Sequence, residues 1–228
     1  MKTLAFIPCR SGSKGFPHKN IARLNNKTLI EHAIFVAKKT QGIDDVFVST
    51  DSSEYESIAL HAGAESQGLR PKELSGDSTK TIDVIIHFIN SIAPKRVYER
   101  IVLLQPTSPM RSPGEIKQML DLLSNHDAAV TIQEIDEPHP FKMKILSGDH
   151  IAPLLTDSSS EIPRQKLPRV YALNGAIYAI RTSALIKHKT FLPPATFGFI
   201  TPPKINIDHE HDFILLQELL RQGKVTLA

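Results

Sequence analysis

The sequence contains a single cysteine, Cys9. This excludes an internal disulfide and a zinc site built on cysteines, and it fits a reducing compartment. Placed at the end of an apolar run, Cys9 reads as a small buried residue rather than a nucleophile. An excess of one charge is also missing: 27 Lys and Arg against 24 Asp and Glu leave a formal net charge of +3. So slight a balance gives no ground for a nucleic-acid or membrane role. No apolar run approaches the length of a membrane span. The first such run, residues 4–7, is too short and too soon interrupted for a signal peptide, so the expected location is the cytoplasm. Two phosphate-binding signatures are absent as well. There is no GxxxxGK[ST], and no GxGxxG, since the glycines of the first loop are Gly12 and Gly15 only. No internal repeat is visible.

What is present suits one α/β domain: 228 residues, 41% of them hydrophobic. Residues 3–8 read as a buried strand. Asn25-Asn26 makes a turn, and Thr28 caps a helix over 29–39 with Leu29, Ala33, Val36 and Ala37 on one face. A second strand over 45–50 and a helix from Ser52 or Ser53 to Gly63 complete a βαβα opening, which predicts parallel strands joined by right-handed crossovers. Residues 67–79 read as loop. A helix over 81–93, a strand over 100–105, a helix from Pro113 to about Leu123 and a strand over 128–133 follow. From 134 to 169 prolines interrupt the alternation, and residues 143–146 and 150–155 look like a hairpin. Ser158-Ser-Ser160 reads as a flexible tract. The chain returns with a strand over 174–180, a short helix over 183–188, a last strand within 199–207, and a helix over 213–221 with Asp208 as N-cap and Gly223 as stop.

The loop leaving the first strand holds Gly12, Gly15, Ser11, Ser13 and the cations Arg10, Lys14 and Lys19. Glycines bring backbone N–H groups close to a ligand, and cations neutralise a polyphosphate. On spacing alone this is either a triphosphate cradle or a flexible surface loop. Gln105-Pro-Thr-Ser-Pro109 sits at the carboxyl end of a predicted central strand, where open α/β sheets carry their ligand crevice. There Gln105 and Ser108 can hydrogen-bond a polyhydroxylated substrate and Arg111 can grip a carboxylate, or the turn is simply rigid. Asp77-Ser78-Thr79 is on physical grounds equally a helix-entry cap.

Arg10-Ser-Gly-Ser-Lys-Gly15 with Lys19-Asn20 resembles the signature of the acylneuraminate cytidylyltransferases, the CMP-sialic acid synthetases. The likeness continues, in the family's order, through Ser49-Thr-Asp51, Arg70-Pro-Lys-Glu-Leu-Ser75, residues 103–111, Asn174-Gly-Ala-Ile-Tyr178 and Ile207-Asp-His-Glu-His-Asp-Phe213. It implies a Rossmann-like nucleotide-diphospho-sugar transferase fold, a mixed, mostly parallel sheet flanked by helices. Residues 1–228 would form one nucleotidyltransferase domain, with 134–169 an inserted, protruding arm that meets a second subunit in a homodimer. It implies Arg10, Lys19 and Asp208 as catalytic residues, and Ser13, Lys14, Asn20, Asp77, Ser78 and Thr79 around CTP, the last three near the cytosine. Gln105, Thr107, Ser108, Arg111, Lys142, Arg164 and Asn174 would meet a nonulosonic acid, with Lys142 and Arg164 on its carboxylate.

The implied reaction transfers CMP from CTP to a sialic-type acid such as N-acetylneuraminate and releases pyrophosphate. Legionaminic or pseudaminic acids as acceptors, GTP as donor, or a non-catalytic nucleotide- or sugar-binding homologue are the alternatives. The implied cofactor is Mg2+ (or Mn2+) at Asp208. Here the sequence departs from the family's I-D-I-D: it reads Ile205-Asn206-Ile207-Asp208, so Asn206 offers a carbonyl oxygen and no charge. His209 and His211, two apart, would point to different helix faces, which argues against zinc.

Overall fold

The computed structural model describes residues 1–92, 96–156 and 159–228. Ala93, expected to end a helix, and Ser158 of the expected flexible tract lie outside the described residues. In chain order the strands are β1 (Thr3–Pro8), β2 (Arg23–Leu24), β3 (Lys27–Thr28), β4 (Asp45–Ser49), β5 (Arg100–Leu103), β6 (Ala128–Ile135), β7 (Lys144–Ser147), β8 (His150–Pro153), β9 (Val170–Arg181) and β10 (Phe197–Ile200). The helices are α1 (Leu29–Lys39), α2 (Ser53–His61), α3 (Thr81–Ile92), α4 (Pro113–Leu122), α5 (Thr182–His188) and α6 (Glu210–Arg221).

Six strands form one sheet in the order β10-β6-β9-β5-β1-β4. β1 runs parallel to β4 and β5, and β10 parallel to β6, while β9 is antiparallel to both β5 and β6. The sheet is thus mixed and mostly parallel, with helices on both faces. Side chains alternate across a strand, and β1 sorts them cleanly. Ala5 and Ile7 join the core formed with α1, α2 and α4, whereas Leu4 and Phe6 join the one formed with α3 and α5. Phe88 of α3 packs on Phe6 and Phe47 with ring centroids 5.0 Å apart in each case.

Local signals set the helix starts. Thr28 and Glu31 form a reciprocal capping box on α1, and Ser112 and Glu115 form another on α4 ahead of Pro113. Each such cap is worth about 1 kcal/mol. A third, smaller core joins Leu24, Leu29, Ile207, Phe213 and Leu216, with the ring of Phe16 of the glycine loop tilted against Phe213, centroids 5.4 Å apart. This core docks α6 against the loop after β1.

Three expectations need correction. β9 begins at Val170 rather than 174, because its first half pairs with an extended β6 reaching Ile135. The last strand ends at Ile200, and residues 201–207 continue as irregular chain. The N-cap of α6 is His209, not Asp208. Asp212 accepts from the N–H groups of both His209 (2.8 Å) and Asp208 (3.0 Å), so the first-turn acid satisfies the helix start. Burial pushes the Asp212 carboxyl up, but these two backbone bonds outweigh it and hold it below its usual range. Residues 134–169 hold the exposed hairpin β7–β8.

Candidate active site

β1, β4 and β5 all end on one side of the sheet, and a cavity of about 520 Å³ opens there. Its floor is the carboxyl end of β1 and β5, with Pro8 and Gln105-Pro106-Thr107. The loop after β1 forms one wall through Arg10, Ser13, Lys14, Gly15, Lys19 and Asn20. Asp77, Thr79 and Thr81 form a second wall, and Asn206, Asp208 and His209 a third.

The glycine loop is tied down rather than floppy. Asp51 accepts from the Ser11 N–H (2.8 Å) and hydroxyl (3.1 Å), and Asn20 Nδ2 donates to Arg10 O (3.0 Å). Lys19, with a side chain 15% exposed, donates to Asp208 Oδ1 (3.0 Å) and to Ile207 O (2.9 Å). Gly15 lies where a side chain has no room: a Cβ would stand 2.7 Å from Asp208 O and 2.9 Å from His209 Nδ1.

Arg10 Nη1 and Lys14 Nζ each lie 2.5 Å from a different oxygen of Asp77. The bonds from Lys14 and then Arg10 hold that carboxyl below its usual range. Asp77 therefore sits on the cations, and the helix-entry cap that its position suggested is not its contact.

On the opposite wall Asp208 Oδ2 accepts from Asn206 Nδ2 (2.7 Å), and Asn206 Oδ1 accepts from Ser108 Oγ (2.8 Å). No cluster of three or more His, Cys, Asp or Glu that could hold a metal occurs among the described residues. The carboxylate of Asp208 faces the cavity, while Asn206 turns its amide NH2 to Asp208 and its carbonyl to Ser108, a set magnesium could use only with substrate phosphate oxygens and waters. The rings of His209 and His211 stack 5.3 Å apart at 10°, because His209 precedes the helix. The expectation that they diverge is therefore wrong.

The cavity gathers Arg10, Ser13, Lys14, Lys19, Asn20, Asp77, Thr79, Gln105, Thr107, Asn206 and Asp208. Others fall elsewhere. Ser108 is buried behind the wall, bonded to Asn206. Arg111 is corrected outright. It is 3% exposed, and its Nη1 donates to Gln105 O and Ala176 O at 2.9 Å each, bracing the floor from behind. Burial lowers its guanidinium to about 9. Asn174 is corrected likewise. It is buried, its Oδ1 accepting from Thr131 and its Nδ2 donating to Thr201, so it joins β9, β6 and the chain after β10. Ser78 does not line the cavity.

Lys142 pairs with Glu137 at 3.5 Å and Arg164 with Asp136 at 3.1 Å, and neither lines it. Arg164 instead lines a separate cavity of about 470 Å³ with Glu134, His139 and Arg169. Three polar lining side chains, Arg70, Thr81 and His209, were missed as site residues. Arg70 was visible only as part of a motif: Nη2 donates to Ser49 O (2.5 Å) and Nε to Ser49 Oγ (3.0 Å), holding its charge at the cavity rim.

The cytidylyltransferase family profile matches residues 4–197. The chain belongs to the cytidylyltransferase family. It is 34% identical to an N-acylneuraminate cytidylyltransferase of Streptococcus agalactiae serotype V over 94% of this chain and 52% of that one. It thus spans about half the length of that relative. A CMP-N,N'-diacetyllegionaminic acid synthase of Legionella pneumophila is 29% identical over the whole of both chains. Among solved structures, a CMP:2-keto-3-deoxy-manno-octonic acid synthetase complexed with CTP superposes with a TM-score of 0.73 at 18% identity. That match covers 98% of this chain and 100% of the other. The likeness supports the fold: a mixed, mostly parallel sheet flanked by helices, as in nucleotidyltransferases.

Proposed function

We propose that this cytidylyltransferase activates a nonulosonic acid with CTP, giving a CMP-sugar and pyrophosphate. One observation carries the reading: Arg10, Lys14 and Lys19 converge on one cavity at the carboxyl ends of β1 and β5. Cations fixed there match the charge that builds on the β- and γ-phosphates as pyrophosphate departs. Asn20, Ser13 and Thr79 supply hydrogen bonds to nucleotide, and Gln105 and Thr107 to sugar. The anomeric hydroxyl attacks the α-phosphorus in line, and the bond to the bridging β-phosphate oxygen breaks.

Magnesium (or manganese) is the cofactor of this reading, held by Asp208 with Asn206 beside it. When bound it supplies positive charge to phosphate oxygens. Asp208 is held in place for this by Lys19 and Asn206.

The acceptor is a sialic-type acid. The relative matched over its full length, the Legionella pneumophila legionaminic acid synthase, favours a legionaminic-type acid as the second reading. The protein acts as a homodimer in the cytoplasm. Ile145, Leu146 and Ile151 of the hairpin are 48%, 71% and 69% exposed, an apolar surface suited to a second copy. Lys142 and Arg164, remote from their own cavity, would then meet the sugar carboxylate in the partner's.

Pyrophosphate release tests the reading. The full chain is incubated with each of the four ribonucleoside triphosphates, magnesium, and a panel of nonulosonic acids. Release with CTP and one of these acids is expected. Silence across the whole panel, beside a working control enzyme, overturns it.

A further inference from the structure

Two carboxylates face the cavity, and they are held very differently. Asp208 is fixed by protein groups on both oxygens: Lys19 Nζ at 3.0 Å and Asn206 Nδ2 at 2.7 Å. Asp77 has no partner among the described residues except the cations themselves, Arg10 on one oxygen and Lys14 on the other. Nor do those two cations have another side-chain partner there. Lys14 is 82% exposed, so only Asp77 and the loop backbone define where its ammonium sits.

The tether also differs. Asp77 lies on a short exposed turn closed by a bond from Thr79 N–H to Gly76 O, between Arg70, anchored on Ser49, and the start of α3. It can swing away without disturbing the core. Its two geminal oxygens, each gripped by a different cation, reproduce how a phosphate group would be held.

Resting on the phosphate assignment above, we propose that Asp77 is an internal competitor for the phosphate site. Its carboxylate occupies the cations of the free enzyme, must leave when a triphosphate binds, and on returning displaces pyrophosphate. The device keeps two neighbouring cations from repelling one another in the free cavity and weakens retention of the product. It works by anion exchange, with no bond made or broken.

Isothermal titration of the full chain with pyrophosphate, together with millisecond hydrogen exchange over residues 75–80, tests this. Asp77→Asn should bind pyrophosphate about three- to tenfold more tightly than wild type, the scale of two partly exposed ion pairs. In wild type, pyrophosphate should speed exchange in the 75–80 turn, and in Asp77→Asn it should leave it unchanged. Unaltered or weaker binding by Asp77→Asn overturns the proposal. So does tighter binding with no change in wild-type exchange, which would mean simple removal of a repelling charge. Arg10→Ala separates the two readings: normal pyrophosphate binding by it removes the phosphate assignment and the competition with it, whereas weakened binding together with an unaltered Asp77→Asn overturns the competition alone.

Discussion

Lys19 Nζ lies 3.0 Å from Asp208 Oδ1, although 189 residues separate the two along the chain. The pair closes the glycine loop against the chain that enters α6, and it places a partly buried cation beside Asp208, the carboxylate proposed to hold the metal. Lys19→Ala removes that charge and unties Asp208. We expect kcat/KM for pyrophosphate release to fall by about 10²–10³, the usual scale for one electrostatic contact to a developing anion. A change below threefold would show that Lys19 is only a loop fastener.

Gly15 reports on the same closure. A methyl group there would stand 2.7 Å from backbone Asp208 O, a distance that forces the loop and the junction apart. Gly15→Ala is expected to lower activity at least tenfold and to lower the melting temperature by a few degrees, since only the small Phe16–Phe213 core beside it is loosened and the two main cores are untouched. Circular dichroism and initial rates on one preparation check both halves.

Arg111 is a stability residue. Replacing it with Met takes the 2.9 Å side-chain donor from Ala176 O and from Gln105 O, the latter keeping the Ser108 N–H at 3.2 Å. A buried carbonyl that loses its partner costs about 1–3 kcal/mol. For a chain of this size, at about 2–4 °C per kcal/mol, the melting temperature should drop by about 2–12 °C. A sugar-carboxylate clamp would instead raise the acceptor KM and leave the melting temperature unchanged.

Asn206→Asp replaces the amide that donates to Asp208 Oδ2 at 2.7 Å with a second carboxylate. Two carboxylates at that separation repel unless a cation lies between them. Mn2+ should therefore bind more tightly to the variant, seen as a larger manganese-induced rise in melting temperature. Equal rises in both proteins would show that Asn206 already serves as well as an acid.

His32 makes stability fall in mild acid. Its imidazole is buried, with Nε2 donating to Leu24 O at 2.8 Å, and burial lowers it from the ordinary 6.5. The unfolded chain therefore takes up a proton first. The native state is favoured above 6.5 and loses that advantage as pH falls from there toward the depressed folded value. Between pH 7 and 5.5 the urea midpoint of wild type should drop more than that of His32→Gln. Parallel curves would remove His32 from the account.

Strands and helices were legible in the sequence because their signals are local. The apolar run within residues 3–8, the Thr28 cap and Pro113 mark where elements start, whatever surrounds them. The position of the basic loop was legible for a related reason: a loop that leaves the carboxyl end of a first parallel strand lies on the strand-end side of the sheet, whereas its spacing alone left cradle and surface loop open. The errors fell where depth mattered. Arg111 and Gln105 lie six residues apart in one motif, yet one is 3% exposed and the other lines the cavity.

By itself, then, the sequence determined the α/β order, the parallel opening and the basic loop. Tertiary structure alone decided that Asp77 would rest on Arg10 and Lys14, that Lys19 would reach Asp208, and that Arg111 and Asn174 would turn inward. Periodicity tells which face of an element is apolar. Whether a polar side chain at a loop meets ligand, backbone or another side chain depends on what distant segments bring opposite it, and that is settled only by packing.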